Sequence, residues 1–143
     1  MVCIGRETNG LRGVVPANQV SSSDWPQLGF DPQKARELLR EAGWRVPGSP
    51  QGKTIPTLEI LHPSGSTNSL VAQWLQLAWK RELGLDSTIQ TLEWRSFLDV
   101  QRAVDYDISR SSWIADYPDP ATFLTLFTSD SPNSRTGWSD PQY

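Results

Sequence analysis

The 143-residue sequence has a single cysteine, Cys3, and a single histidine, His62. A disulfide within the chain is therefore excluded, and so is a structural zinc site, which needs four Cys or His ligands. No apolar run approaches the roughly 20 residues that cross a bilayer. Basic clusters are equally scarce. Thirteen Lys and Arg stand against 16 Asp and Glu for a net charge of −3, and Lys80-Arg81 is isolated, which argues against nucleic-acid binding. The opening residues, Met1 to Arg6, show no basic stretch followed by an apolar one, so no secretory leader is expected there and Cys3 reads as an incidental thiol. A Ser/His/Asp set, a nucleophile elbow and a phosphate loop are also lacking, and no cofactor is implied.

What remains is a globular composition, 37% hydrophobic and 20% charged, with enough length to bury a core. Seven tryptophans are many for this length, and 11 prolines with 10 glycines interrupt the chain often. Tryptophan serves either as core or as a flat ligand wall, and only context separates the two.

Residues 1–30 carry little periodicity and read as an irregular segment that wraps over a neighbouring part. Asp31-Pro32 then starts a helix, with Asp31 as cap and Pro32 at the first helical position. Ala35, Leu38, Leu39 and Ala42 share one face, and Gly43 ends the helix in a left-handed conformation, with Trp44 packing over its end. Thr57 to Leu61 reads as a strand ending near Pro63. A polar turn, Ser64 to Asn68, opens a second helix in which Leu70, Val71, Trp74, Leu75, Ala78 and Trp79 recur at three- and four-residue spacing. That spacing predicts Trp74 and Trp79 in the core. Gly84 stops the helix, and Leu85 to Leu92 is the next strand. A short helix from about Arg95 to Val104 uses Phe97, Leu98 and Val104 as apolar contacts, Tyr106 to Arg110 is a third strand, and Ala121 to Phe127 a last short helix.

Strands alternating with helices of this length imply parallel pairing through right-handed crossovers, hence an α/β three-layer sandwich with a mostly parallel sheet. In such sheets ligands bind beyond the carboxyl ends of the strands. The rule points to Pro63–Asn68 and to Ser111–Pro120. The second segment holds most of the distinctive chemistry: Arg110, Trp113, Asp116 and Tyr117 in eight residues, stiffened by Pro118 and Pro120. A carboxylate and a guanidinium flanking aromatic rings suit a zwitterionic ligand. Asp119, directly before Pro120 and an apolar run, reads as a helix cap. His62, beside Pro63 and without a second histidine, reads as structural or surface-exposed. The carboxylates Asp105, Asp107, Asp116 and Asp119 leave a glycoside hydrolase as an alternative, and exposed tryptophans leave a carbohydrate-binding module, though such modules are commonly all-β.

Three collinear stretches carry a resemblance: Phe30 to Trp44; Tyr106-Asp107-Ile108 through Trp113-Ile114-Ala115-Asp116-Tyr117-Pro118-Asp119-Pro120 to Phe123-Leu124; and Gly137 to Tyr143. Together the sequence resembles the second, C-terminal lobe of the oligopeptide- and dipeptide-binding proteins of ABC importers. The resemblance implies a type II periplasmic-binding-protein lobe and a non-catalytic function, the recognition of peptides or related small solutes. It places the parent protein outside the cytoplasm, with an importer permease and a missing N-terminal lobe as partners. It also implies that Asp116 meets the ligand ammonium, that Arg110 meets a peptide carboxylate, and that Trp113 lines the cleft beside Tyr117. A lobe standing alone is expected to bind weakly and to self-associate without functional meaning.

Overall fold

The computed structural model describes residues 29–142. The expected wrapping segment therefore lies outside the described residues, except for Gly29 and Phe30.

Helix α1 spans Pro32–Glu41. Asp31 caps it through its side chain, which accepts the Lys34 amide at 2.9 Å. The next residues leave the helix through Gly43 at φ +83°, as the sequence requires. Strand β1, Leu58–Pro63, is the centre of the sheet. Helix α2, Ser66–Leu83, returns the chain to β2, Ser87–Leu92. Gly84, at φ +68°, makes the turn between them, a conformation that glycine adopts without the strain a Cβ would add. Helix α3, Trp94–Ala103, leads to β3, Ile108–Ser109, and α4, Ala121–Leu124, continues into a 3₁₀ turn over Thr125–Phe127.

The sheet order is β2-β1-β3 with both pairings parallel. β1 and β2 are in register from Leu58 opposite Ser87 to Pro63 opposite Leu92, and Ile60 and Leu61 pair with Ile108 and Ser109. With this order, right-handed crossovers put α2 and α3 on opposite faces, which gives the three layers. On one face Ile60 packs with Ala72 and Leu75, sealed by Val71, Trp79 and Ile89. Leu61, which points to the other face, and Phe97 of α3 are both fully buried. Outermost, α1 lies on α2, where Arg36 donates to the Glu82 carbonyl at 2.9 Å and to its carboxylate at 3.3 Å. The hydrogen bond from Arg81, with Arg36 also nearby, holds that carboxyl below its usual range.

Four expectations need correction. Trp74 is not core: it is 59% exposed, as are Leu70 and Leu77 to similar degree. Apolar residues cover more than half the circumference of α2, the sheet takes only one face, and Ala72, Leu75 and Ala78 win it. Leu38, in the apolar row of α1, is also largely exposed, because α1 is an outer layer with no fully buried residue. Val104 is a left-handed helix end at φ +54° and stays 43% exposed instead of packing inward. Finally β3 pairs over two residues, not five. The Glu59 amide, which would otherwise seek a strand partner, bonds the Asp107 carboxylate at 2.9 Å, so a side chain ends the ladder.

These placements separate two aromatic residues of the same chain. Phe97→Ala is expected to cost about 3–5 kcal/mol. Trp74→Ala, at an exposed site, should stay within about 0.5 kcal/mol of wild type. Urea denaturation of both variants measures the difference.

Candidate functional site

All three strands are parallel, so their carboxyl ends emerge at one edge. The chain leaves β1 toward one face and β2 toward the other, which makes the crevice between β1 and β3 the switch point where open α/β sheets bind ligands. Two segments border it: Ser64–Asn68 after β1, and the run from Arg110 after β3.

Arg110 is anchored at both ends. Its amide donates to the Leu61 carbonyl at 2.8 Å, which extends the β1–β3 pairing by one bond. Its guanidinium Nη1 reaches across the crevice and donates to Oδ1 of Asn68. Asn68 in turn donates from Nδ2 to the Pro63 carbonyl at 3.0 Å. The Arg110 Nε is buried and has no hydrogen-bond partner among the described residues.

Past Arg110 the chain forms a loop closed on the start of α4. The Asp116 amide donates to Thr122 Oγ1 at 3.1 Å, and the Thr122 hydroxyl lies 3.5 Å from the Asp116 carboxylate. The Asp119 amide donates to the Tyr117 carbonyl at 2.9 Å. Asp119 accepts the Ala121 amide at 2.8 Å through Oδ1, so its carboxylate is occupied in capping, as expected. Asp116 is left exposed with one long contact. Trp113 is half-buried, while Tyr117 is 48% exposed. The loop thus presents one exposed carboxylate, a half-buried guanidinium and two rings from a backbone tied down at several points.

Behind Trp113 lies a cavity of about 50 Å³ bordered by Gln101, Tyr106, Ser109, Leu126 and Arg135. It has room for a few water molecules only. Gln101 donates to Ser109 at 2.7 Å and accepts from Arg135 at 3.2 Å, and the Tyr106 hydroxyl donates to the Arg135 carbonyl. Burial pushes the Tyr106 phenol above its ordinary value; burial, together with the Arg102 charge, lowers that of Arg135. The indole N–H of Trp113 and the Nε of Arg135 are buried here without partners among the described residues.

The structure places Arg110, Trp113, Asp116 and Tyr117 on one segment at the carboxyl edge of the sheet, and separates them from Asp107 at the opposite end of β3. Asp107 is thus set apart from Asp116 and Asp119, and the four acids on which a glycoside hydrolase would rest do not form one cluster. The helices that cover this sheet are not the architecture of an all-β carbohydrate module. His62 is structural: fully buried, it contacts the Pro63 carbonyl through Nδ1 at 2.8 Å and Thr91 through Nε2 at 3.1 Å. Two residues escaped the sequence reading. Trp94 follows β2 at the same edge, 56% exposed and stacked on Phe97 at 5.8 Å between ring centroids. Its place two residues after a strand end was the available signal. Asn68 lay inside the indicated turn, but nothing local marks it as the partner of a residue 42 positions away.

Comparison with known proteins identifies the family and the fold. The profile of a family described as "Bacterial extracellular solute-binding proteins, family 5 Middle" matches residues 5–135. The chain belongs to this family. It is 32% identical over 114 residues to the oligopeptide-binding protein OppA of Bacillus subtilis, which covers 79% of this chain and 21% of that protein. Among solved structures, an oligopeptide-binding protein of Borrelia burgdorferi superposes with a TM-score of 0.77 at 28% identity, over 93% of this chain and 26% of the other. Haemophilus influenzae OppA, solved in complex with the peptide RPPGFSPFR, gives 0.67 at 29% identity over 78% and 21%. The chain thus spans about a fifth of the length of the curated relative. The fold of this family-5 segment is that of the type II lobe in these neighbours.

The two loop acids have separable roles. Asp119→Ala is expected to destabilise the chain by about 1 kcal/mol through loss of the cap. Asp116→Ala should leave stability within about 0.5 kcal/mol. Thermal or urea unfolding gives both values, and the reverse order would contradict the assignment.

Proposed function

We propose that this family-5 chain is the ligand-recognition lobe of an extracytoplasmic binding protein serving an ABC importer. Its ligand is a peptide or related small solute that lies across the carboxyl edge of the sheet. The lobe works with a second lobe, which closes over the same edge, and it carries out no chemical step. The observation that carries the reading is the segment after β3, where Asp116 stays exposed and uncommitted while Arg110 is held over the β1/β3 crevice with Trp113 between them. Asp116 takes the α-ammonium group, Arg110 an acceptor further along the ligand, and Trp113 and Tyr117 form an apolar wall. Such a wall tolerates varied side chains, and main-chain charges provide orientation. The peptide complex of the Haemophilus influenzae relative supports this choice of ligand class.

Closure matters energetically. An exposed carboxylate gains little from pairing in water, whereas the same pair enclosed between lobes is worth far more. In a protein carrying both lobes, Asp116→Ala should weaken a peptide with a free N-terminus by at least 30-fold, about 2 kcal/mol. An N-acetylated peptide should bind wild type and variant alike. Calorimetric titration of the two peptides tests this; undiminished affinity of the variant for the free peptide would refute the role of Asp116.

A further inference from the structure

One unbroken hydrogen-bonded relay crosses the ligand edge. It starts on β2 at Thr91, whose hydroxyl lies 3.1 Å from His62 Nε2. His62 Nδ1 is 2.8 Å from the Pro63 carbonyl, and Asn68 Nδ2 meets the same carbonyl at 3.0 Å. Asn68 Oδ1 then receives Arg110 Nη1. The relay touches the carboxyl ends of β2 and β1, the first turn of α2, and the residue that follows β3.

Its polarity follows from one atom. A carbonyl only accepts, so His62 must carry a proton on Nδ1 and Asn68 must turn its NH₂ group toward Pro63. The Asn68 amide has then no choice of orientation: its oxygen faces Arg110, the one partner there that only donates. His62 is fully buried in the central strand, and the Pro63 carbonyl ends that strand, so the anchor of the relay is rigid. What it fixes at the far end is a guanidinium that spends one donor on Asn68 while its buried Nε is not engaged by any described residue. A free arginine side chain would sample many rotamers, and holding it in place lowers the ordering cost of each contact it later makes.

We propose that Asn68 is a positioning residue for Arg110: its amide, oriented by the Pro63 carbonyl, holds the guanidinium over the β1/β3 crevice with donors left for an acceptor on the ligand. This rests on Arg110 being a ligand contact as set out above. Asn68 itself need not touch the ligand. An aspartate at this position would still offer Arg110 an acceptor but could not donate to the Pro63 carbonyl; a leucine of similar size would offer neither.

Nitrogen-15 NMR of the whole chain reads the first half without any ligand. In Asn68→Leu the Arg110 Nε–H should exchange with water at least tenfold faster than in wild type. In Asn68→Asp, which keeps an acceptor for Arg110 but loses the donor to the Pro63 carbonyl, the rate should stay below that of Asn68→Leu. A purely structural role would instead move both variants together with their unfolding midpoints. Trialanine and its C-terminal amide, at millimolar concentration, read the second half. Wild type should favour the free carboxylate at least fivefold, and Asn68→Leu should erase that ratio. If wild type shows no preference while Asn68→Leu still releases Arg110, the positioning role stands and the ligand role of Arg110 fails. If Asn68→Leu changes neither the exchange rate nor the ratio, the proposal is overturned. If Asn68→Leu does not fold, Asn68→Ala decides: an Arg110 exchange rate within twofold of wild type overturns the proposal.

Discussion

Parallel pairing on both sides of β1 is the constraint on which the rest depends. Among the described residues Leu58 to Pro63 is the one strand with neighbours on both edges and layers on both faces, and its last four residues are buried. Because both neighbours run in the same direction, the ends of all three strands, and the segments that leave them, open onto a single edge. A site assembled there needs no long loop to bring its parts together: Asn68, Trp94 and Arg110 are each within a few residues of a strand end. The cost of ordering them has already been met by the hydrophobic packing of Ile60, Leu75 and Phe97 beneath.

That edge combines a rigid base with open chemistry. The loop after β3 is tied down by its own amides and by Thr122, so its shape does not depend on Asp116 or Trp113 finding partners. Asp119 spends its charge locally, whereas Asp116 keeps its own. Two carboxylates three residues apart thus differ in their hydrogen bonding because only one has a helix amide within reach. Arg110 is the converse case, a charge withdrawn from solvent and oriented by a neutral amide rather than by an acid. An amide partner leaves the positive charge of Arg110 uncompensated. That suits an anionic ligand group better than an ion pair formed in advance, which the ligand would have to break.

Much of this was legible in the sequence, for reasons that can be named. Asp31-Pro32 and Asp119-Pro120 announce helix starts because the chemistry of capping is local. Gly43 and Gly84 mark helix ends for the same reason. The central strand and the alternation of helices and strands follow from apolar runs of fixed length, and the shared carboxyl edge of the strands follows from the topology. What stayed hidden depends on which of several equivalent surfaces is covered. The apolar pattern of α2 wraps too far round the helix to say that Trp74 would face outward and Trp79 inward. The short β3 reflects a competition between a backbone ladder and the Asp107 side chain, settled only by the register with Glu59. The Asn68–Arg110 bond joins distant positions through the sheet order, and no local spacing encodes it.

The central claim is that the carboxyl edge of this sheet, and not its opposite edge or the surface of α2, is where the ligand lies. Chemical-shift mapping of the isotopically labelled chain with a millimolar tripeptide tests it most directly. Perturbations should group at Ser64–Asn68, Glu93–Trp94 and Arg110–Tyr117, strongest at Asp116. Perturbations centred on Glu59, Asp86 and Asp107, at the other end of the strands, or on Leu70, Trp74 and Leu77 along α2, would contradict it.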